Sequence, residues 1–191
     1  MNIGIFSGSF NPIHIGHLML ANYIVEFTEI DEVWFLVSPQ NPLKDDADLL
    51  DENERFRMVK LALEKYSKLQ ASDFEFQMPR PSYTINTLEA LTQTYPDDEF
   101  TLIIGADNWR DFEKWKDYDR IAKEYKIKVY PRLDFRVSIP SRYKTKVEAL
   151  DSPIVEVSST FIRESILLDK NIRAFLPEEV YNYIEENKLY R

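Results

Sequence analysis

The chain has 191 residues, 44% of them apolar and none of them cysteine, which suits one folded domain and excludes a disulfide framework, a thiolate nucleophile and a thiolate-held metal. A formal charge of −9 repels DNA, RNA and anionic lipid at long range, so the expected partner is a small metabolite, not nucleic acid or membrane. No apolar run is long enough to span a bilayer and the N-terminus lacks a basic leader, which reads as a cytoplasmic protein.

Strand and helix patterns alternate from the start. An apolar run from Ile3 leads through Gly8-Ser9-Phe10-Asn11-Pro12-Ile13-His14-Ile15-Gly16-His17 into a helix-compatible stretch from Leu18 to Glu26. Val33 to Val37 reads as a buried strand. Asp51-Glu52-Asn53-Glu54 gives an acidic capping box to a helix with Phe56, Val59, Leu61, Leu63 and Tyr66 at helical spacing. Phe74 and Phe76 alternate with Asp73, Glu75 and Gln77, which predicts a strand. Thr84 to Tyr95 predicts a helix with Pro96 after its end. Phe100 to Ile104 and Ile127 to Tyr130 are further strands, residues 131–146 an irregular basic flap, and Ile154 to Val157 the last strand. Helices from Ser159 to Leu168 and from Pro177 to about Asn187 follow. This order predicts an α/β fold: a single doubly wound, Rossmann-like domain over residues 1–191, its sheet mainly parallel with helices on both faces. Residues 159–191 form its C-terminal helical part. Ligands of such folds bind at the carboxyl ends of the strands.

Four segments after strands carry the chemistry. Both histidines and three of the four glycines fall within the first seventeen residues. Gly8 has no Cβ, so an anion can approach the N–H groups of its loop, and the next helix adds unpaired donors and partial positive charge. His14 and His17, three apart, can face one ligand at that helix end. A His-x-x-His pair with no placed third ligand is an incomplete zinc site, so no protein-held metal is expected. In Val157-Ser158-Ser159-Thr160-Phe161-Ile162-Arg163 the hydroxyls can cap a helix and grip phosphate while Arg163 donates to two oxygens. An ordinary cap beside a surface arginine has the same pattern. Gly105-Ala106-Asp107 sets a carboxylate at a strand end, where it can accept ribose hydroxyls; Trp109 and Trp115 beyond it are stacking rings or core. Lys44, after Ser38-Pro39-Gln40-Asn41-Pro42-Leu43, can reach a phosphate.

The first two segments together resemble the nucleotidyltransferase superfamily, with its His-x-Gly-His loop and Ser-Ser-Thr-x-Ile-Arg helix start. Four blocks are similar, in order and over nearly the whole chain, to the bacterial nicotinate-nucleotide adenylyltransferases. They are Gly8 to His14, Ser82-Tyr83-Thr84-Ile85-Asn86-Thr87-Leu88, Ile104-Gly105-Ala106-Asp107 and Ile172-Arg173-Ala174-Phe175-Leu176-Pro177. Asn86 departs from the family's usual Asp, and Asn41-Pro42-Leu43 from its consecutive prolines.

The resemblance implies adenylyl transfer from ATP to nicotinate mononucleotide in NAD biosynthesis, giving nicotinate adenine dinucleotide and pyrophosphate, with Mg²⁺ carried on the substrate phosphates. It implies His14, His17, Lys44 and Arg163 as catalytic residues. ATP would be bound by Gly8, Ser9, Phe10, Gly105, Asp107, Ser158, Ser159 and Thr160. Nicotinate mononucleotide would be bound by Tyr83, Thr84, Asp107 and Trp115, with Thr84 at its carboxylate and Trp115 stacked on the pyridine. The alternatives are another small-molecule adenylyl- or cytidylyltransferase, such as one acting on phosphopantetheine, and a non-catalytic nucleotide-binding module. His14-Ile15-Gly16-His17 also spells the signature of class I aminoacyl-tRNA synthetases, but no Lys-Met-Ser-Lys-Ser loop follows. An oligomer is compatible with the sequence.

Overall fold

The computed structural model describes residues 1–39 and 49–191. Its strands are β1 (Asn2–Gly8), β2 (Glu32–Val37), β3 (Leu69–Ser72), β4 (Glu99–Gly105), β5 (Lys126–Tyr130) and β6 (Val147–Ala149). They pair in parallel in the order β3-β2-β1-β4-β5-β6. Ile3 of β1 lies between Glu32 of β2 and Phe100 of β4. The chain therefore runs outward from β1 to β3, then crosses back to β4 at the other side of β1. That reversal opens a crevice beyond the carboxyl ends of β1 and β4.

The helices are α1 (Ile15–Phe27), α2 (Glu52–Leu63), α3 (Thr84–Thr94), α4 (Ala106–Arg110), α5 (Tyr118–Glu124), α6 (Ser159–Leu167) and α7 (Glu178–Asn187). Alternation along each strand sends neighbours to opposite faces, and both faces are covered. On one, Phe6, Val33 and Phe35 pack with Leu18, Val59, Ile162 and Ile184 from α1, α2, α6 and α7. On the other, Ile5, Leu36 and Leu102 pack with Leu88, Trp109 and Ile121 from α3, α4 and α5. The doubly wound, parallel α/β architecture expected from the sequence is the one observed. Among the described residues no helix is long and apolar enough to cross a membrane.

Two predicted strands are corrected. Residues 73–77 do not join the sheet: β3 lies just before them, and Phe74–Gln77 is a 3-10 helix with Phe76 N–H donating to the Asp73 carbonyl at 2.8 Å. The alternation was real in composition but not in burial, because Glu75 turns inward to find hydroxyl partners. Residues 154–157 form no ladder either, and the last strand is β6. Ile154 is solvent-exposed and only Val157 is fully buried, so the segment is a connection descending onto the core. Boundaries also move. α1 begins at Ile15 rather than Leu18, and Pro177 caps α7 instead of opening it. Residues 131–146 are irregular, as read, and anchored by Tyr143, which is buried and donates to Asp119 at 2.6 Å.

Candidate active site

The loop after β1 turns back into α1 within six residues, so His14 becomes the N-cap and His17 the third helical residue. Phe10 takes a left-handed backbone (φ 44°), uncommon for a residue with a side chain. Its ring fills the space beside Gly8, coming within 3.1 Å of where a Cβ would stand. Gly8 thus makes room for Phe10.

The two imidazoles stack, centroids 3.7 Å apart and planes 20° from parallel. The backbone N–H of His14 donates to Nδ1 of His17 at 3.2 Å. That bond leaves the proton of neutral His17 on Nε2. Phe6 and Phe10 set their edges against the same ring, at 5.8 and 5.1 Å. His14 is buried; its burial, reinforced by the Arg132 charge, lowers its pKa to about 4. It is a neutral donor and acceptor at pH 7.

α6 approaches from the other end of the chain. Ser158 caps it, its hydroxyl oxygen accepting from Phe161 N–H at 3.1 Å. The first-turn amides of Ser159 and Thr160 stay outside the helix's own bonding. Ser159 Oγ donates to the Pro12 carbonyl at 2.8 Å, and Arg163 Nη1 to the Asn11 carbonyl at 2.9 Å. Both pin α6 to the histidine loop. A cavity of about 350 Å³ results, lined by Gly8, Ser9, His14, His17 and Asp107 with Ser158, Ser159, Thr160 and Arg163.

Four buried side-chain polar atoms among the described residues have no hydrogen-bond partner. Three of them, His14 Nδ1, Asp107 Oδ1 and Arg132 Nε, belong to residues lining that cavity. Native interiors seldom leave such groups unsatisfied, so their convergence marks a site built for a polar ligand. Arg132 Nε stands 3.8 Å from Asp107 Oδ1. A Cβ on Gly105 would lie 2.3 Å from that oxygen, so any side chain there would displace the Asp107 carboxylate.

A second cavity, about 470 Å³, opens across the carboxyl end of β1. Trp115, Tyr83 and Thr84 line it, with Lys116 Nζ 4.8 Å above the Tyr83 ring. The two cavities share Phe6, Ser7, Gly8, Asn108 and Tyr130. Trp109 belongs to neither. It is buried, stacks on Phe112 at 4.9 Å and donates from Nε1 to the Ser138 carbonyl, so the core reading holds for it. Lys44 and its neighbours Gln40 to Leu43 lie outside the described residues.

Three residues escaped the sequence reading. Arg132, two residues past the end of β5, is one: like the other site residues it follows a strand. Arg55 is only 1% exposed and donates to the carbonyls of Ser9, Ser38, Pro39 and Leu50. It ties the loops after β1 and β2 to the start of α2, and nothing in a helical Arg announces that. Asn11 Oδ1 accepts from the Tyr190 hydroxyl at 2.9 Å, joining the chain's last residues to its first loop.

Comparison with known proteins places these features. Residues 5–165 match the family model described as cytidylyltransferase-like. A probable nicotinate-nucleotide adenylyltransferase of Bacteroides fragilis is 56% identical over 181 residues, covering 95% of this chain and 90% of that protein. One of Flavobacterium johnsoniae is 47% identical, with full coverage of both chains. Among solved structures, Plasmodium falciparum nicotinic acid mononucleotide adenylyltransferase complexed with NaAD superposes with a TM-score of 0.82 at 22% identity. It covers 99% of this chain and 97% of its own.

Proposed function

This chain belongs to the nicotinate-nucleotide adenylyltransferases of the cytidylyltransferase-like family, and from that premise we propose that it joins nicotinate mononucleotide to ATP in NAD biosynthesis. An oxygen of the mononucleotide's 5′-phosphate bonds to the α-phosphorus of ATP as the bond to the β-phosphate oxygen breaks. Nicotinate adenine dinucleotide and pyrophosphate leave. The attacking phosphate is already ionised near neutral pH, so no general base is needed, and catalysis comes from positioning and charge stabilisation.

One observation carries this reading: two cavities, one lined by phosphate donors and one by aromatic rings and a helix start, share a wall at the β1 carboxyl end. A transfer between two nucleotides needs that adjacency. His17, with its proton on Nε2, donates to the α-phosphate as charge builds, and neutral His14 donates beside it. Arg163 and the amides of Ser159 and Thr160 hold the departing pyrophosphate. Asp107 accepts ribose hydroxyls, with Arg132 beside it. Thr84 and Tyr83 receive the nicotinate carboxylate, and Trp115 stacks on the pyridine.

Nucleotidyltransferases of this kind use a divalent metal ion. Among the described residues Asp107 is the single carboxylate lining the phosphate cavity, a donor set suited to an ion held chiefly by triphosphate oxygens and water. We take that ion to be Mg²⁺, which when bound neutralises phosphate charge. The absence of cysteine and the acidic charge fit a cytoplasmic, small-molecule enzyme.

The test is pyrophosphate release by the full chain with ATP and Mg²⁺, offering nicotinate mononucleotide, nicotinamide mononucleotide and phosphopantetheine in parallel. Efficient turnover of the first, with dinucleotide formed, is expected. Turnover of phosphopantetheine, or tight ATP binding without any pyrophosphate, would replace this reading.

A further inference from the structure

Glu75 is the only acidic side chain in the buried interior of the described residues, at 4% exposure, and it lines the acceptor cavity. Among the described residues no ion pair reaches it. Its partners are hydroxyls: Ser82 Oγ donates to Oε2 at 2.9 Å and Thr87 Oγ1 to Oε1 at 3.0 Å, with Ser38 at the end of β2 a third. Burial pushes the Glu75 carboxyl above the usual carboxylate range, and the three hydroxyls oppose that shift. Ser82 and Thr87 flank Tyr83 and Thr84, the N-cap and first residue of α3. One carboxyl thus grips the start of this helix on both sides. It also links that start to the 3-10 helix at Phe74–Gln77.

A recognition group works only if its orientation is fixed by what stands behind it. Resting on the acceptor assignment above, we propose that Glu75 is the positioning residue of the acceptor pocket. By accepting the Ser82 and Thr87 hydroxyls it holds the α3 start in the orientation that reads the acceptor's carboxylate. It thereby sets the preference for the acid over the amide. The phosphate cavity does not include Glu75, so ATP handling is independent of it.

The experiment is steady-state kinetics of Glu75→Leu, Glu75→Gln and Thr87→Val in the full chain, with acid and amide mononucleotides and with ATP varied. Glu75→Leu removes the carboxylate that the Ser82, Thr87 and Ser38 hydroxyls share, and kcat/KM for the acid should fall at least about tenfold with the acid-to-amide ratio compressed likewise. Its KM for ATP should stay within about twofold of wild type. Glu75→Gln should restore most of the ratio, since a hydroxyl can reverse and accept from the amide NH₂. Thr87→Val, near-isosteric, should shift the ratio in the same direction by less, and it serves if Glu75→Leu does not fold. An unchanged ratio in folded variants, or equal damage to ATP and acceptor, overturns the proposal. Failure of the wild-type chain to prefer the acid would instead overturn the acceptor assignment itself.

Discussion

His17 is held in one orientation by three neighbours. The His14 amide occupies Nδ1, His14 covers one ring face, and Phe6 and Phe10 fix the ring from the side. A donor oriented this way before the substrate arrives needs no reorganisation as charge develops. Removing one such donor costs about 3–4 kcal/mol, so His17→Ala should keep its fold and substrate affinity while kcat falls roughly a hundred- to a thousandfold. Rapid-quench turnover measures this, and a near-wild-type rate would remove His17 from the chemistry. His14 makes a different, thermodynamic prediction. Its pKa is lowered from 6.5 to about 4 by burial and then by Arg132. Between those values the unfolded chain takes up a proton that the folded chain refuses, so stability falls as pH drops from about 6.5 towards 4. The loss approaches about 3 kcal/mol below pH 4. Urea unfolding of wild type and His14→Asn at pH 7 and pH 4 isolates it, with the variant gaining on wild type at the lower pH. The two histidines were legible in the sequence because their type and spacing are rare. Arg55 and Glu75 were not, since their roles lie in burial against backbone carbonyls and hydroxyls from distant segments.

At the scale of elements, the phosphate grip proposed for α6 rests on how the helix is held. Ser158 takes the Phe161 amide, Ser159 and Arg163 tie the helix to the loop at Asn11-Pro12, and Ser159 and Thr160 of the first turn line the cavity. Arg163 spends one nitrogen on the Asn11 carbonyl, so a planar fork with donors to spare is needed for a phosphate as well. Lysine offers one point charge and cannot do both. Arg163→Lys should therefore raise KM for ATP by about tenfold and leave KM for the mononucleotide nearly unchanged. Kinetics with each substrate varied in turn decide it; equal shifts for both would show that the substitution merely loosens the α6 contact. The helices with clear caps and spacing were legible in the sequence, as were β1, β2, β4 and β5. What failed were the short, half-exposed pieces. Phe74 and Phe76 alternate like a strand, and Ile154 to Val157 reads like one, but a strand also needs a neighbour to pair with. Among the described residues the sheet ends at β3 and β6, and neither segment pairs with an edge strand.

Over the whole molecule, a surface with net charge −9 surrounds a crevice that must admit two anionic nucleotides. Long-range attraction cannot deliver them, so recognition has to be local. The acceptor cavity divides that task. In the reading proposed above, one wall, the start of α3 backed by Glu75, reads polarity; the other, Trp115, offers a flat ring 5.4 Å from that of Phe112. Stacking depends on the aromatic faces and is nearly indifferent to whether the pyridine carries a carboxylate or an amide. Loss of an aromatic platform under a base costs about 1–3 kcal/mol, roughly ten- to a hundredfold. Trp115→Ala should then lower kcat/KM for nicotinate and nicotinamide mononucleotides by the same factor. The ratio between them should stay at the wild-type value and KM for ATP should not move. Glu75→Leu should do the reverse, compressing the ratio. Measured side by side, the two variants separate shape from polarity within one cavity. If Trp115→Ala changed the ratio as much as the efficiency, the indole would be shaping the carboxylate site itself, and the two walls could not be treated as independent.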